Sequence, residues 1–103
     1  MGFTFVYLPL AETVLTDAEW QVVEQLLLDN PAAGAVISGT GGVRKLRVAF
    51  ANSGKRGSAR TIYLHVDSQE RIYFLLAYAK NVQETLTNDQ KRQIRAVVEQ
   101  LKG

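Results

Sequence analysis

The chain has 103 residues, no cysteine and one histidine, so it has room for one small domain and excludes a disulfide framework, a thiolate nucleophile and a cysteine-based metal site. A hydrophobic fraction of 47% and a charged fraction of 21% are typical of a globular protein and exclude a disordered one. The net charge of +2 divides unevenly, because residues 1–43 carry −5 and residues 44–103 carry +7. This asymmetry favours a polyanionic partner.

The apolar N-terminal segment 1–15 lacks the features of a targeting or membrane segment. It has no basic n-region, contains Pro9 and Glu12, and is shorter than a membrane span. We therefore expect a cytoplasmic protein with no membrane partner, in which residues 1–103 form a single domain.

A strand and a helix are predicted first along the chain. Residues 3–8, "FTFVYL", are aromatic and β-branched and predict a strand. Thr16 followed three residues later by Glu19 is a capping box, which predicts a helix over 17–29. We expect the apolar stripe of this helix to be buried, and its members are Val22, Val23, Leu26 and Leu27.

Three strands are predicted next, after a small-residue connection in which Ala32 to Ile37 has room for one helical turn. In "RKLRVAF", 44–50, apolar and basic residues alternate with the period of a strand that buries one face. The segments "RTIYLHV", 60–66, and "RIYFLLAY", 71–78, are strands joined by the turn "DSQE".

The last predicted element is a helix over 88–102, because Thr87 and Gln90 repeat the capping pattern. The order of elements predicts an α+β domain, an antiparallel sheet with helices packed on one face. The other face would then be open and would carry Lys45 and Arg47. Arg60→Ala should cost little stability, because we expect Arg60 to be a cation on an open face, and such a cation contributes little to folding.

The most unusual feature of the sequence is the basic, glycine-rich stretch 39–63, "GTGGVRKLRVAFANSGKRGSARTIY". Between Asp29 and Asp67 the chain has no acidic residue. The glycines lack the spacing of a P-loop or dinucleotide fingerprint, but backbone N–H groups of the loop 54–57 can approach a phosphate closely. The pattern predicts a surface that binds phosphates, with tyrosines such as Tyr63 and Tyr78 available to stack on bases. The alternative is a solvated, charged hairpin.

Four segments, "GTGGVRKLRVA", "GKRGSARTIY", "FLLAYAKN" and "LTNDQK", resemble in order and spacing the HigB-like branch of the RelE/ParE superfamily of bacterial toxins. The resemblance covers about residues 26–95 and implies the compact RelE-like α+β fold. It also implies an endonuclease that enters the ribosomal A site and cuts mRNA, through attack of an RNA 2′-hydroxyl on its own phosphodiester, with no metal and no cofactor.

The resemblance also implies roles for individual residues. Lys45 and Arg47 match paired basic positions on the family's second strand, and Arg60 matches the arginine that begins the third. Arg60 is the first candidate, because a guanidinium can hold two phosphate oxygens. Further catalytic candidates are Lys80 and Tyr63. The candidate contacts to RNA or the ribosome are Arg44, Lys55, Arg56 and Tyr78. Family members carry an arginine and a tyrosine near the C-terminus. In this chain Asn81 stands near the first place and Leu86 or Thr87 near the second, so neither side chain has a counterpart.

The implied partners are the ribosome, mRNA and a cognate antitoxin. The antitoxin should be acidic where it covers the basic surface, and in this branch it typically carries a helix-turn-helix. Two other functions remain open from the sequence. One is a ParE-like toxin that poisons DNA gyrase by binding, and the other is a non-catalytic RNA-binding protein.

Overall fold

A computed structural model of the chain describes residues 3–12, 14–49, 58–79, 82–83 and 85–102. In chain order the elements are β1 (Thr4–Tyr7), α1 (Pro9–Glu12), α2 (Asp17–Asp29), β2 (Ala35–Val36), β3 (Arg44–Ala49), β4 (Ser58–Val66), a 3-10 turn (Asp67–Gln69), β5 (Arg71–Ala79) and α3 (Asn88–Lys102). The α+β class is confirmed. Among these helices, none is long and apolar enough to cross a membrane.

Both long helices have the predicted limits, and each begins with a complete capping box. In α2, the Glu19 N–H donates to Thr16 Oγ1 at 3.1 Å and the Thr16 N–H donates to Glu19 Oε1 at 2.9 Å. In α3, the Gln90 N–H donates to Thr87 Oγ1 at 3.1 Å and the Thr87 N–H donates to Gln90 Oε1 at 3.0 Å. These local bonds satisfy backbone donors that a helix start leaves unpaired.

The sheet is mixed, with the strand order β1-β5-β4-β3-β2. The pairs β2–β3, β3–β4 and β4–β5 are antiparallel as predicted, but β1 pairs parallel to β5, so the prediction of a wholly antiparallel sheet was wrong. β1 is held there by aromatic contacts, since the rings of Phe5 and Tyr7 stack on Phe74 with centroids 5.7 and 5.0 Å apart. These contacts span about 70 residues of chain, and no local pattern encodes them.

The long helices cover both faces of the sheet, which corrects the prediction that they share one face. Trp20, Val23 and Leu27 of α2 pack in one cluster with Leu46 and Val48 of β3. Ile94 and Val98 of α3 pack in a second cluster, against residues of β4 and β5. We call these two faces the α2 side and the α3 side. Alternate residues of β4 contribute to each cluster, so β4 is covered on both sides.

Two local predictions were wrong for the same reason. β2 forms where a loose connection or helical turn was expected, because Ala35 and Val36 pair with Lys45 and Arg44. In α2, Val22 and Leu26 are 45% and 41% exposed although the apolar stripe placed them in the core. In both cases the position of a neighbouring element decides the outcome.

A β-bulge in β5 determines which side chains meet near the end of the sheet. Tyr63 pairs with Phe74 and Ile62 pairs with Leu76, so Leu75 has no opposite residue in β4. An extra residue shifts the alternation of the strand from that point onward. Tyr78, beyond the bulge, therefore lies on the α3 side.

The burial of α2 generates a test with two adjacent leucines. Leu27 is fully buried and Leu28 is 41% exposed. We expect Leu27→Ala to lower the free energy of unfolding by about 2–5 kcal/mol. Leu28→Ala should change it by about 0.5 kcal/mol or less. Urea unfolding of both variants measures this difference, and equal losses would contradict the docking of α2 described above.

Candidate functional site

Three predicted site residues form one row across the middle of the sheet. Arg47 of β3 is the direct cross-strand partner of Arg60 of β4, and Arg60 is the direct partner of Tyr78 of β5. Directly opposed side chains in antiparallel strands lie on the same face, with Cβ atoms about 4.5–5.5 Å apart. Since Tyr78 belongs to the α3-side cluster, the row lies on the α3 side. We call these three residues the cationic row.

The members of the cationic row differ in exposure. Arg47 is exposed, whereas Arg60 and Tyr78 are each only 5% exposed. The prediction that Arg60 lies on an open face was therefore wrong, because β4 is an inner strand covered on both sides. A buried arginine is a fixed, poorly solvated positive charge, and its aliphatic stem contributes to packing.

Lys45 extends the positive charge of the row. It lies two residues before Arg47 in β3, so both side chains leave the same face of the strand. Lys45 is half-buried and pairs with Ile62 on one side and with Ala35 of β2 on the other. The structure thus brings Lys45, Arg47 and Arg60 to one face. Like charges opposed on adjacent strands disfavour the sheet, and a bound anion relieves that repulsion.

Arg44 and Tyr63 lie together on the α2 side, away from the row. They are direct cross-strand partners. The Arg44 guanidinium donates to the Gly34 carbonyl at 2.7 Å and to the Ala32 carbonyl at 3.4 Å. The Tyr63 hydroxyl accepts from the Gly34 N–H at 2.9 Å and donates to the Pro31 carbonyl at 2.7 Å. Both side chains hold the segment 31–34 against the sheet.

The surroundings of Tyr63 also keep its proton in place. Tyr63 has no exposed surface. Burial raises the pKa of its phenol, and the hydrogen bond from the Gly34 N–H and the positive charge of Arg44 offset only part of that rise. A neutral, buried phenol with two backbone partners is suited to a positioning role. Tyr63 and Arg44 thus bond the segment 31–34, on the side of the sheet opposite the cationic row.

Three further predicted residues, Lys55, Arg56 and Lys80, lie outside the described part of the chain. Lys80 directly follows Ala79, and Ala79 pairs with Ala59, the neighbour of Arg60. One polar residue was not predicted from the sequence. Ser58 lies two residues before Arg60 on the same face of β4, which begins earlier than the apolar pattern indicated. The signal in the sequence was the segment "GSAR", in which a serine stands two residues before the arginine and so would share its face in a strand.

Within the described ranges, no three His, Asp or Glu side chains are grouped so that they could hold a metal ion. The chemistry that this part of the surface offers is positive charge on a rigid sheet. Such an arrangement suits a phosphate group, whose oxygens accept several charge-assisted hydrogen bonds.

By its architecture the protein is a small α+β domain. Arginines of two adjacent strands pair across its sheet, on the face that the C-terminal helix covers. A double mutant of the E. coli toxin RelE in the free state has a similar structure, with a TM-score of 0.52. The similarity covers 82% of this chain and 90% of that chain at 14% identity, and therefore concerns the fold.

The sequence assigns the chain to a family within this class. Residues 29–103 match the family model described as the RelE toxin of the RelE / RelB toxin-antitoxin system. This match covers most of the chain, and the protein belongs to the RelE toxin family. Its elements from β2 to α3, including the whole cationic row, lie within the matched range.

The positioning role of Tyr63 can be tested against a matched tyrosine. Tyr63→Phe should lower the free energy of unfolding by about 1–3 kcal/mol, because the buried Gly34 N–H and the part-buried Pro31 carbonyl lose their partner. Tyr73 is the control, because its hydroxyl accepts from Arg71 and donates to Gln69, and both partner residues are exposed and can turn to water. Tyr73→Phe should cost clearly less in urea unfolding. Equal costs would contradict the role given to Tyr63.

Proposed function

We propose that this RelE-family chain is a ribosome-dependent mRNA endonuclease of the HigB-like branch, which inhibits translation by cutting messages at the A site. The observation that carries the proposal is the direct pairing of Arg47 with Arg60 on the α3 side. Family membership supports the toxin role. The segments that resemble the HigB-like branch support the choice of branch.

The proposed reaction needs no group beyond RNA and protein side chains. The 2′-oxygen of the cleaved nucleotide attacks the adjacent phosphorus, the bond to the 5′-oxygen breaks, and the products are a 2′,3′-cyclic phosphate and a 5′-hydroxyl. Negative charge develops on the phosphate oxygens and on the leaving oxygen. Preorganised cations stabilise such charge most strongly where water is excluded.

The burial of Arg60 suits it to this electrostatic role, because a guanidinium held by packing loses little freedom when it binds a phosphate. Arg47 is exposed and would reach the message from the edge of the row, with Lys45 beside it. We propose Lys80 as a further contact to the scissile phosphate, and Lys55 and Arg56 as contacts to the ribosome or message backbone.

General acid-base help typically contributes about 10²–10⁴-fold to such reactions, and among the described residues of the row and its predicted neighbours two tyrosines are the candidates for it. Tyr63 is enclosed in the core on the opposite side of the sheet. Tyr78 lies in the row beside Arg60, but its ring is almost fully covered. We therefore propose that electrostatic stabilisation contributes more than proton transfer in this protein. Tyr78 then contributes chiefly by packing beside Arg60 rather than by stacking on bases.

The proposed partners follow from the same surface. A cognate antitoxin that blocks the site should present acidic side chains to Lys45, Arg47 and Arg60. We propose that it carries a helix-turn-helix, as is typical of the HigB-like branch. Toxin and target meet in the cytoplasm, where translating ribosomes are.

The experiment is a defined translation reaction in which message ends are mapped by primer extension, with and without ribosomes. We expect cuts at the A-site codon only when ribosomes are present. Arg60→Lys retains the charge and most of the packing but loses bidentate hydrogen bonding to the phosphate. It should therefore lower the cleavage rate by about 10²-fold. Arg47→Ala should lower it by about 10–10²-fold.

Arg92→Ala is the control, because this arginine lies exposed on α3, where it pairs with Asp89. It should cleave at the wild-type rate. Intact message with wild-type protein would overturn the nuclease. Inhibition of DNA gyrase would then favour the ParE-like activity, and salt-sensitive RNA binding without cleavage would favour a binding protein.

A further inference from the structure

The described part of the chain contains an open groove outside the cationic row, between strand β1 and helix α2. Its volume is about 650 Å³. The groove is lined by Phe5, Val6, Tyr7, Glu12, Asp17, Trp20, Gln21 and Glu24. Phe5 and Tyr7 pack on the α2 side, whereas the cationic row lies on the α3 side. The groove is thus separate from the surface proposed to cut RNA.

The groove is acidic, and none of the described residues that line it is basic. Glu12, Asp17 and Glu24 contribute three carboxylates, and none of them forms an ion pair with a described residue. Residues 1–43, which contain the whole lining, include no lysine or arginine. The described carboxylates are not grouped so that they could hold a metal ion. Their spacing around a wide groove suits a larger organic cation instead.

The aromatic residues of the groove provide a second feature. Tyr7 and Trp20 meet edge to face, with ring centroids 4.9 Å apart. Aromatic faces beside carboxylates attract lysine and, more often, arginine side chains. The indole N–H of Trp20 is buried and has no hydrogen-bond acceptor among the described residues, although the residue is only 5% exposed. A buried donor without an acceptor costs free energy in the unbound groove.

The backbone of β1 provides a third feature, because β1 is the terminal strand of the sheet. The N–H groups of Thr4 and Leu8 donate to the carbonyls of Glu70 and Phe74, each at 3.0 Å. In a parallel pair, alternate residues bond to the neighbouring strand, so the backbone groups of Phe5 and Tyr7 point to the free edge. A free edge of this kind can accept one more strand.

We propose that this groove binds an extended segment of a partner protein, which adds a strand to the free edge of β1 and inserts an arginine or lysine among Glu12, Asp17 and Glu24. β1 has four residues, so it can pair with about four or five residues of the partner. Every second side chain of the added strand would face α2 and the carboxylates. Backbone pairing would provide affinity, and the acidic aromatic groove would select the cation.

The partner carries basic side chains at this point, whereas the antitoxin surface proposed for the cationic row is acidic. The groove therefore adds a second binding function to the protein, independent of RNA cleavage. Burial raises the pKa of Glu24, whose carboxylate accepts a hydrogen bond from the Tyr7 hydroxyl. An incoming cation would favour the ionised form of Glu24.

Trp20 is the only tryptophan of the chain, so its fluorescence reports on the groove directly. The probe is the capped peptide Val-Arg-Val-Arg-Val, titrated into the full chain up to about 5 mM, a range that detects free energies of binding as weak as about −4 kcal/mol. We expect a saturable change in Trp20 emission. The matched peptide Val-Glu-Val-Glu-Val should bind at least about tenfold more weakly, since it places like charges together.

Variants separate the groove from general electrostatic attraction. Glu24→Gln keeps an acceptor for the Tyr7 hydroxyl, and combined with Asp17→Asn it should weaken binding of the arginine peptide at least about fivefold. Glu99→Gln is the control, because Glu99 is an exposed carboxylate on α3, and it should leave binding unchanged. Urea unfolding checks that the double variant is folded, and its mRNA cleavage should equal that of wild type.

Three outcomes would overturn the proposal. The first is no Trp20 response up to the highest peptide concentration, and the second is equal binding of the arginine and glutamate peptides. The third is a concentration-dependent dimer in sedimentation that Glu24→Gln abolishes, because it would assign the groove to a second copy of this chain. Failure of mRNA cleavage alone would not affect the groove, since peptide binding is measured without ribosomes.

Discussion

The burial of β4 on both faces is the constraint on which the rest of the structure depends. Of its nine residues only His65 retains appreciable exposure. Alternate side chains fill two different clusters, one beneath α2 and one beneath α3. An inner strand of this kind cannot shift by one residue without exchanging its two hydrophobic faces. The register of β4 therefore determines the positions of β3 and β5, and with them the position of every residue in the cationic row.

The placement of an arginine within this strand connects stability with the proposed function. Arg60 is enclosed by the same packing that holds β4, so its charge is held on the strand opposite Arg47 before any ligand arrives. Burying a charge and opposing it to a second cation both cost free energy. Packing that holds a positive charge beside Arg47 before an anion binds makes the row a stronger candidate site than an exposed cluster of lysines.

The opposite side of the sheet carries two side chains that support the backbone of the row. The Tyr63 hydroxyl and the Arg44 guanidinium hold the segment 31–34, and Gly34 in that segment lies against the backbone of Lys45. A Cβ at Gly34 would stand 2.9 Å from the Lys45 carbonyl oxygen, so only glycine permits this close approach. The result is that the edge strand β2 closes on β3 and fixes the backbone from which Lys45 projects.

The fold places the acidic and the basic half of the chain at different parts of the molecule. The basic half supplies β3, β4 and the cationic row, and the acidic half supplies β1, α2 and the groove between them. The two surfaces lie on opposite faces of one sheet and at different strands. This small protein thus carries two candidate interaction surfaces of opposite charge, and the central strands of the sheet lie between them.

The sequence by itself determined what depends on near neighbours in the chain. The starts of α2 and α3 follow from Thr16 and Thr87, whose hydroxyls bond three residues away, and the alternation of 44–49 follows from the period of a strand. The tertiary structure alone decided the parallel partner of β1, the assignment of the helices to two faces and the bulge at Leu75. It also decided that Arg60 and Tyr63, both counted as site residues from the sequence, are buried on opposite sides of β4. The physical reason is that burial and cross-strand contact arise between segments distant in the chain, which no pattern of neighbouring residues specifies.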